Sequence, residues 1–156
     1  MDSHERAELL AQYRSGYDAV EASLDGITAA ELDRRPAPDS WTAREVVHHL
    51  ADSETQSYTR LRKVLAEDDT LVQAYDEPVW AVRLHYGRPI NASLAVLKAV
   101  RESTLELLES LSEAEWQREG RHSTLGRYTL DIWLVDYAEH PYVHAAQITR
   151  ARRGEV

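Results

Sequence analysis

His140 and His144, in the stretch Glu139-His-Pro-Tyr-Val-His-Ala-Ala-Gln-Ile148, are spaced for metal chemistry. Residues four apart on a helix lie one above the other, so the two imidazoles can aim at a common point. A third donor has to come from a distant segment, and Trp41-Thr-Ala-Arg-Glu-Val-Val-His-His-Leu-Ala-Asp-Ser-Glu54 offers His48 and His49. Adjacent helical residues diverge by ~100 degrees, so one of the two faces such a site, and periodicity alone does not choose between them. Three imidazoles with no fourth protein ligand leave a coordination position open, as in catalytic rather than structural zinc sites. That position can hold a water whose pKa the cation lowers toward ~7, giving hydroxide for hydrolysis, or a thiol held as its nucleophilic thiolate. With no cysteine in the chain, the thiol would arrive with the substrate. Neutral imidazoles suit zinc, nickel, copper and iron, and spacing does not select among them.

The elements that must position these rings read as helices. Leu10, Tyr13, Tyr17, Val20 and Leu24 form an apolar stripe on a first helix that Gly26 can end. Thr28 with Glu31 is a capping box for a short helix, broken by Pro36 and Pro38. Thr42 with Glu45, and Trp41 placed to pack on Val46, give a capping box with a hydrophobic staple, so His49 falls in the second turn of a helix running to about Ala66. Residues 67 to 90 form a long connection punctuated by Pro78, Gly87 and Pro89, which is either functional or hides a short helix. Asn91 can cap a third long helix with Leu94, Leu97, Leu105, Leu108 and Leu111 on its seam. Ser112 with Glu115 repeats the capping box around Trp116, and Gly120 to Gly126 reads as a turn or small hairpin. The last helix opens at Thr129 and carries Trp133, Tyr137, His140, His144 and Gln147 on one stripe. Pro141 removes one helical hydrogen bond, frees the carbonyl of Tyr137 and predicts a kink or a break. The expected architecture is an all-α four-helix bundle with short extra helices, one domain over residues 1–156, with the metal site in the bundle interior.

Composition excludes several functions. With 18 basic and 27 acidic residues the formal charge is -9, which repels a phosphate backbone, and no basic patch argues for nucleic acid. Arg150, Arg152 and Arg153 read as cations complementing the dipole of the last helix. No apolar run is long enough for a membrane span and the N-terminus lacks a secretory pattern, so the expectation is a cytoplasmic protein with no membrane partner. Phe is absent, and the 4 Trp and 8 Tyr supply the bulky side chains.

The remaining titratable residues have plainer readings. His4, His85 and His122 read as surface positions, although His85 or Tyr86 would enter the site if the long connection folded over it. Asp52 and Asp136 are spaced to accept a ring N–H, but a solvated helix face is the simpler account. Glu54 falls near the Val47, Leu50 and Leu61 seam, and if buried it needs a partner that the sequence does not name.

Taken together, the segment Trp41 to Glu54, the stretch Tyr75-Asp-Glu-Pro-Val-Trp80 and the closing His140 to Ile148 resemble the DinB/YfiT-like superfamily, most nearly its bacillithiol S-transferase branch, also described as metal-dependent hydrolases. The resemblance runs through the whole chain in order. It implies a four-helix bundle, often dimeric, with a divalent metal on one histidine of the second long helix and two of the last. Carried over by position, the ligands are His49, His140 and His144, with zinc or nickel the first candidates. The implied activity is transfer of a low-molecular-weight thiol, bacillithiol-like, to a small electrophile; the alternatives are hydrolysis and a non-catalytic metal-binding stress-response protein. Val143 stands where relatives often have a further histidine, and Pro141 is an unusual residue at its place.

Overall fold

The computed structural model describes residues 1–156. In chain order the elements are α1 (Ser3–Ser23), α2 (Ala29–Leu32), α3 (Ala43–Ala66), β1 (Leu71–Val72), α4 (Glu77–Arg83), α5 (Asn91–Ser110), α6 (Glu113–Trp116), β2 (Glu119–His122), β3 (Gly126–Thr129) and α7 (Leu130–Arg153). The fold is all-α apart from one small sheet: α1, α3, α5 and α7 make a four-helix bundle. The three capping boxes expected at Thr28, Thr42 and Ser112 are all formed, and Asp2 with Glu5 makes a fourth. At α3 the Glu45 carboxylate accepts from the Thr42 amide at 2.8 Å, and Trp41 joins the apolar cluster that contains Val46. Asn91 does not cap α5: it is the first helical residue, and Ile90 occupies the cap position without a side-chain hydrogen bond.

The pairing of residues across the bundle fixes its topology. His48 meets Ser93 and Glu54 meets Arg101, so α3 and α5 run parallel. Met1 meets Asp131 and Ser15 meets Tyr142, so α1 and α7 also run parallel, antiparallel to the other two. Parallel neighbours cannot be joined by a short turn. The long connection between α3 and α5 carries the chain back along the bundle, and it holds β1 and α4 on the way. β1 pairs parallel to β2, which forms an antiparallel hairpin with β3, giving the sheet order β1-β2-β3. The hairpin was legible; β1, two residues long, was not.

The core is divided. One cluster gathers Tyr13, Leu61, Leu108, Trp133 and Leu134, and another gathers Val20, Val47, Leu50, Leu97 and Ile148. Between them each long helix contributes something other than an aliphatic side chain: Gly16 on α1, His49 and Glu54 on α3, Arg101 on α5, His140 and Pro141 on α7. This polar layer answers the question that Glu54 posed. Its carboxylate, fully buried, accepts from Tyr13 Oη at 2.7 Å and from Arg101 Nη1 at 2.9 Å.

Pro141 neither breaks nor interrupts α7, which is helical from Leu130 to Arg153. The carbonyl of Tyr137, deprived of its helical donor, accepts from Arg101 Nη1 at 3.2 Å. The proline ring packs on Gly16, where a Cβ would stand 2.5 Å from Pro141 Cγ and 2.7 Å from Arg101 Nη2. Gly16 thus lets α1 approach α7 where the proline ring and the guanidinium need room, and the arginine replaces the missing N–H.

Candidate metal centre

α3 and α7 bring His49, His140 and His144 together, one donor nitrogen from each lying within 4.8 Å of the others. His140 Nε2 and His144 Nε2 are 3.1 Å apart, and the His49 ring stands 4.7 Å from that of His144 and 5.4 Å from that of His140, centroid to centroid. Gln147, one turn beyond His144, places Oε1 2.7 Å from His144 Nδ1. An amide oxygen only accepts, so Nδ1 carries the proton and the lone pair of His144 is on Nε2, facing His140. Trp41 covers His49 at 4.8 Å and Tyr137 packs edge-on to His140 at 5.8 Å.

These surroundings keep the rings neutral. Burial pushes His49 down to about 3, with the neighbouring His144 adding to it, and pushes His140 down to about 2, with His144, His49 and Arg101 adding to it. His144 is lowered too, chiefly by burial. Neutral imidazoles are what a cation requires, because protonated rings have no lone pair to give. The donor set fits a metal on a further count: His49 Nδ1 and His140 Nδ1 are buried without partners and His140 Nε2 meets only His144 Nε2, so no group outside the cluster competes for these two rings. Neighbouring ligands in a tetrahedral zinc–imidazole site are ~3.3 Å apart. The 3.1 Å His140–His144 pair stands near that spacing, and the His49 donor lies within 4.8 Å of both.

His48 does not join them. It is fully buried and points toward α5, with Nε2 2.9 Å from the Arg88 carbonyl and Nδ1 2.7 Å from Ser93 Oγ. A carbonyl accepts, so Nε2–H donates and Nδ1 takes the hydroxyl proton: both nitrogens are engaged and none is left for a cation. Asp52 accepts from Tyr86 Oη at 2.7 Å rather than from an imidazole. Tyr86 is buried beside His48 and stays out of the site. His4 and His85 are exposed as expected, but His122 is not a surface residue. It is buried and lines a cavity of about 430 Å³ that reaches His140 and is also lined by Arg60, Tyr75, Tyr137 and the exposed Asp136. The strand alternation of Gly120 and His122 inward, Glu119 and Arg121 outward, carried that signal. Gln147 was legible as a neighbour of His144 on the same face, without its role.

A second cavity of about 430 Å³ reaches His144 and is also lined by Trp41, Gln147 and Arg150. Glu77, at the start of α4, lines both. Its carboxyl is raised by burial, with Arg60 pulling the other way.

No helix is long and apolar enough to cross a membrane. The chain is similar to proteins from several bacilli. One from Oceanobacillus iheyensis, named "Putative metal-dependent hydrolase", is 34% identical over 119 residues, 76% of this chain and 69% of that one. Another of the same name from Geobacillus thermodenitrificans is 31% identical over 94% of this chain and 83% of its own. The solved structure of YfiT from Bacillus subtilis, described as "a probable metal-dependent hydrolase with an unusual four-helix bundle topology", superposes with a TM-score of 0.90 at 28% identity, covering 98% of this chain and 89% of YfiT. YjoA of the same organism, a DinB-like protein, shares the fold at a TM-score of 0.60 and 18% identity, over 94% of this chain and 90% of its own. The family model for the DinB superfamily matches residues 12–148, and with relatives above 30% identity over most of its length the chain belongs to that superfamily.

Proposed function

We propose that His49, His140 and His144 hold one divalent cation, zinc or nickel, and that the protein is a metal-dependent enzyme transferring a low-molecular-weight thiol to a small electrophile. The metal dependence is supported by the three converging neutral imidazoles and by the names of the relatives. Thiol transfer is favoured by one observation: two cavities of similar size reach the histidine cluster, one lined by His140 and one by His144, with Glu77 common to both. Joining two organic substrates calls for two such spaces, whereas hydrolysis needs room for one substrate and a water.

A cation on three neutral imidazoles supplies an open position at which a thiol is held as its thiolate at neutral pH. The chain's own residues do the rest. Gln147 fixes the tautomer and orientation of His144, and Trp41 and Tyr137 pack against the rings of His49 and His140. Glu77, common to both cavities and with its carboxyl raised by burial, is placed to take the thiol proton and release it to solvent.

The test is a conjugation assay with monobromobimane and a panel of thiols, on protein loaded with zinc or nickel. Turnover that disappears in His144→Ala and drops at least tenfold in Glu77→Gln supports transfer. The relatives' names favour hydrolysis as the second reading. Cleavage of an amide or ester by the loaded protein, with no conjugation of any thiol, would replace the first reading by the second.

A further inference from the structure

One wall of the cavity on His140 presents Arg60, Tyr75 and His122, each with a hydrogen-bond donor that no protein acceptor takes. Arg60 is the centre of it. Its Nη2 donates to the Gln73 carbonyl at 2.6 Å and its Nη1 to Tyr137 Oη at 3.3 Å, while Nε is buried with no partner. No carboxylate bonds it, in contrast to Arg101 with Glu54, Arg44 with Asp33 and Arg118 with Asp68. The Tyr75 hydroxyl is likewise buried without a partner.

His122 completes the set, and its tautomer is fixed. Nδ1 faces the amides of Thr124 and Leu125 at 3.3 and 3.4 Å and the Thr124 hydroxyl at 3.0 Å. Amide N–H groups only donate, so Nδ1 is the acceptor, and in the neutral ring the proton sits on Nε2. Burial, then Arg60, holds His122 below the ordinary histidine range. Nε2–H makes no bond within the protein. The acids of this cavity, Glu77, Asp136 and Glu139, belong to exposed residues, so its inner end offers a buried guanidinium N–H and a buried phenol with no acceptor, and beside them the open imidazole N–H of His122. Buried donors left unpaired are costly, and a charged acceptor of matching shape is what satisfies a planar guanidinium best.

We propose that this wall receives a carboxylate of the substrate, with Arg60, His122 Nε2–H and the Tyr75 hydroxyl as its donors, so that the substrate's reacting group lies toward His140. The inference rests on the metal-dependent reading for the identity of the reacting group, but the carboxylate site itself lies apart from the three histidines. Tyr137 stands between: its hydroxyl accepts from Arg60 and its ring packs on His140. The pocket then selects small acids over neutral or amine-bearing analogues.

Calorimetric titration with three probes tests it, each on zinc-loaded and on chelator-treated protein: succinate, mercaptosuccinate and 2-mercaptoethanol. Succinate binds both forms, because its site needs no metal, and Arg60→Gln weakens it ~10- to 100-fold, the range expected for losing a charge-assisted pair. Tyr75→Phe weakens succinate about threefold or more yet does not lower the urea midpoint of the ligand-free protein, since that hydroxyl is buried there without a partner. Neither variant alters 2-mercaptoethanol binding to the zinc form. Succinate affinity that stays within twofold in both variants, or no succinate binding at all, overturns the carboxylate site. Succinate behaving as expected while neither thiol binds the zinc form overturns thiol transfer and leaves the carboxylate site standing.

Discussion

Replacing Arg101 with methionine should unfold the polar layer from within. Arg101 is 3% exposed; it bonds Glu54 Oε2 at 2.9 Å, the Tyr137 carbonyl that Pro141 frees and the Tyr13 carbonyl, and it stacks on the Tyr13 ring at 3.8 Å. Methionine matches its stem but strands a fully buried carboxylate, which keeps only the Tyr13 hydroxyl. Breaking one side of a buried pair costs about 3–5 kcal/mol, or roughly 6–20 °C in melting temperature for a chain of this size. Adding Glu54→Gln removes the stranded charge. Glu54→Gln alone costs about 3 kcal/mol, at the low end of that range because the amide oxygen can still accept from the guanidinium, but the double variant should lose ~2–3 kcal/mol less than the sum of the singles. The pH dependence gives a second reading. Burial already pushes the Glu54 carboxyl up, and Arg101 and Tyr13 oppose it. Without Arg101 only the Tyr13 hydroxyl opposes the upward push, so the folded carboxyl is raised further and binds its proton more tightly than the unfolded one. Stability of the single variant is then retained at low pH and lost as pH rises through the raised folded value. Urea unfolding of chelator-treated protein, followed by circular dichroism at several pH values, measures all three quantities. Single costs that simply add, or an Arg101→Met protein within 1 kcal/mol of the parent at neutral pH, would show that the pair does not hold the layer together.

Gly16→Ala places a methyl 2.5 Å from Pro141 Cγ and should cost about 1–3 kcal/mol through overpacking, read as a lower urea midpoint. Thr42→Ala deletes the α3 cap in the turn before His49 and should cost ~1 kcal/mol; a midpoint unchanged by it would mean that tertiary packing alone sets that helix start. Acidification should destabilise chelator-treated protein: folded values of about 3 for His49 and about 2 for His140, against ~6.5 unfolded, mean that the unfolded chain binds more protons below that pH. Stability then falls as pH drops from ~7 to ~5, by ~2 kcal/mol per ring, and constant stability across that window would refute the buried-neutral assignment.

How much of this was legible depended on whether a residue's role was local. The capping boxes at Thr28, Thr42 and Ser112 need only residues three apart, and all formed as read. The pairing of His140 with His144 is one helical turn and was equally legible. The choice of His49 over His48 was not, because it depends on which neighbour α5 presents: Ser93 and the Arg88 carbonyl claim both nitrogens of His48. That Pro141 does not break α7 was illegible for the same reason, since the donor that takes up the freed Tyr137 carbonyl comes from Arg101, distant in sequence and on another helix. Arg60 carried no local signal at all, being one arginine among several on a polar helix face until β2 and the long connection fold against it.

That connection ties the topology to the site. Because α3 and α5 run parallel, the chain between them must return the length of the bundle, and a shorter loop cannot do it. The returning stretch is what brings Tyr75 and Glu77 over the open side of the histidine cluster, and β1 within it anchors the hairpin that carries His122. An up-down bundle with short turns could place the same three histidines on facing helices, but it would leave them open to solvent, with neither a donor wall nor a carboxylate shared between two cavities. The proposed metal ligands therefore come from the helices, and two of the three proposed carboxylate donors, Tyr75 and His122, from what joins them. Changes in residues 67–90 and in the hairpin should alter which substrates are accepted while leaving metal affinity within a few-fold. A connection variant that instead emptied the metal site, with the helices still folded, would break that division of labour.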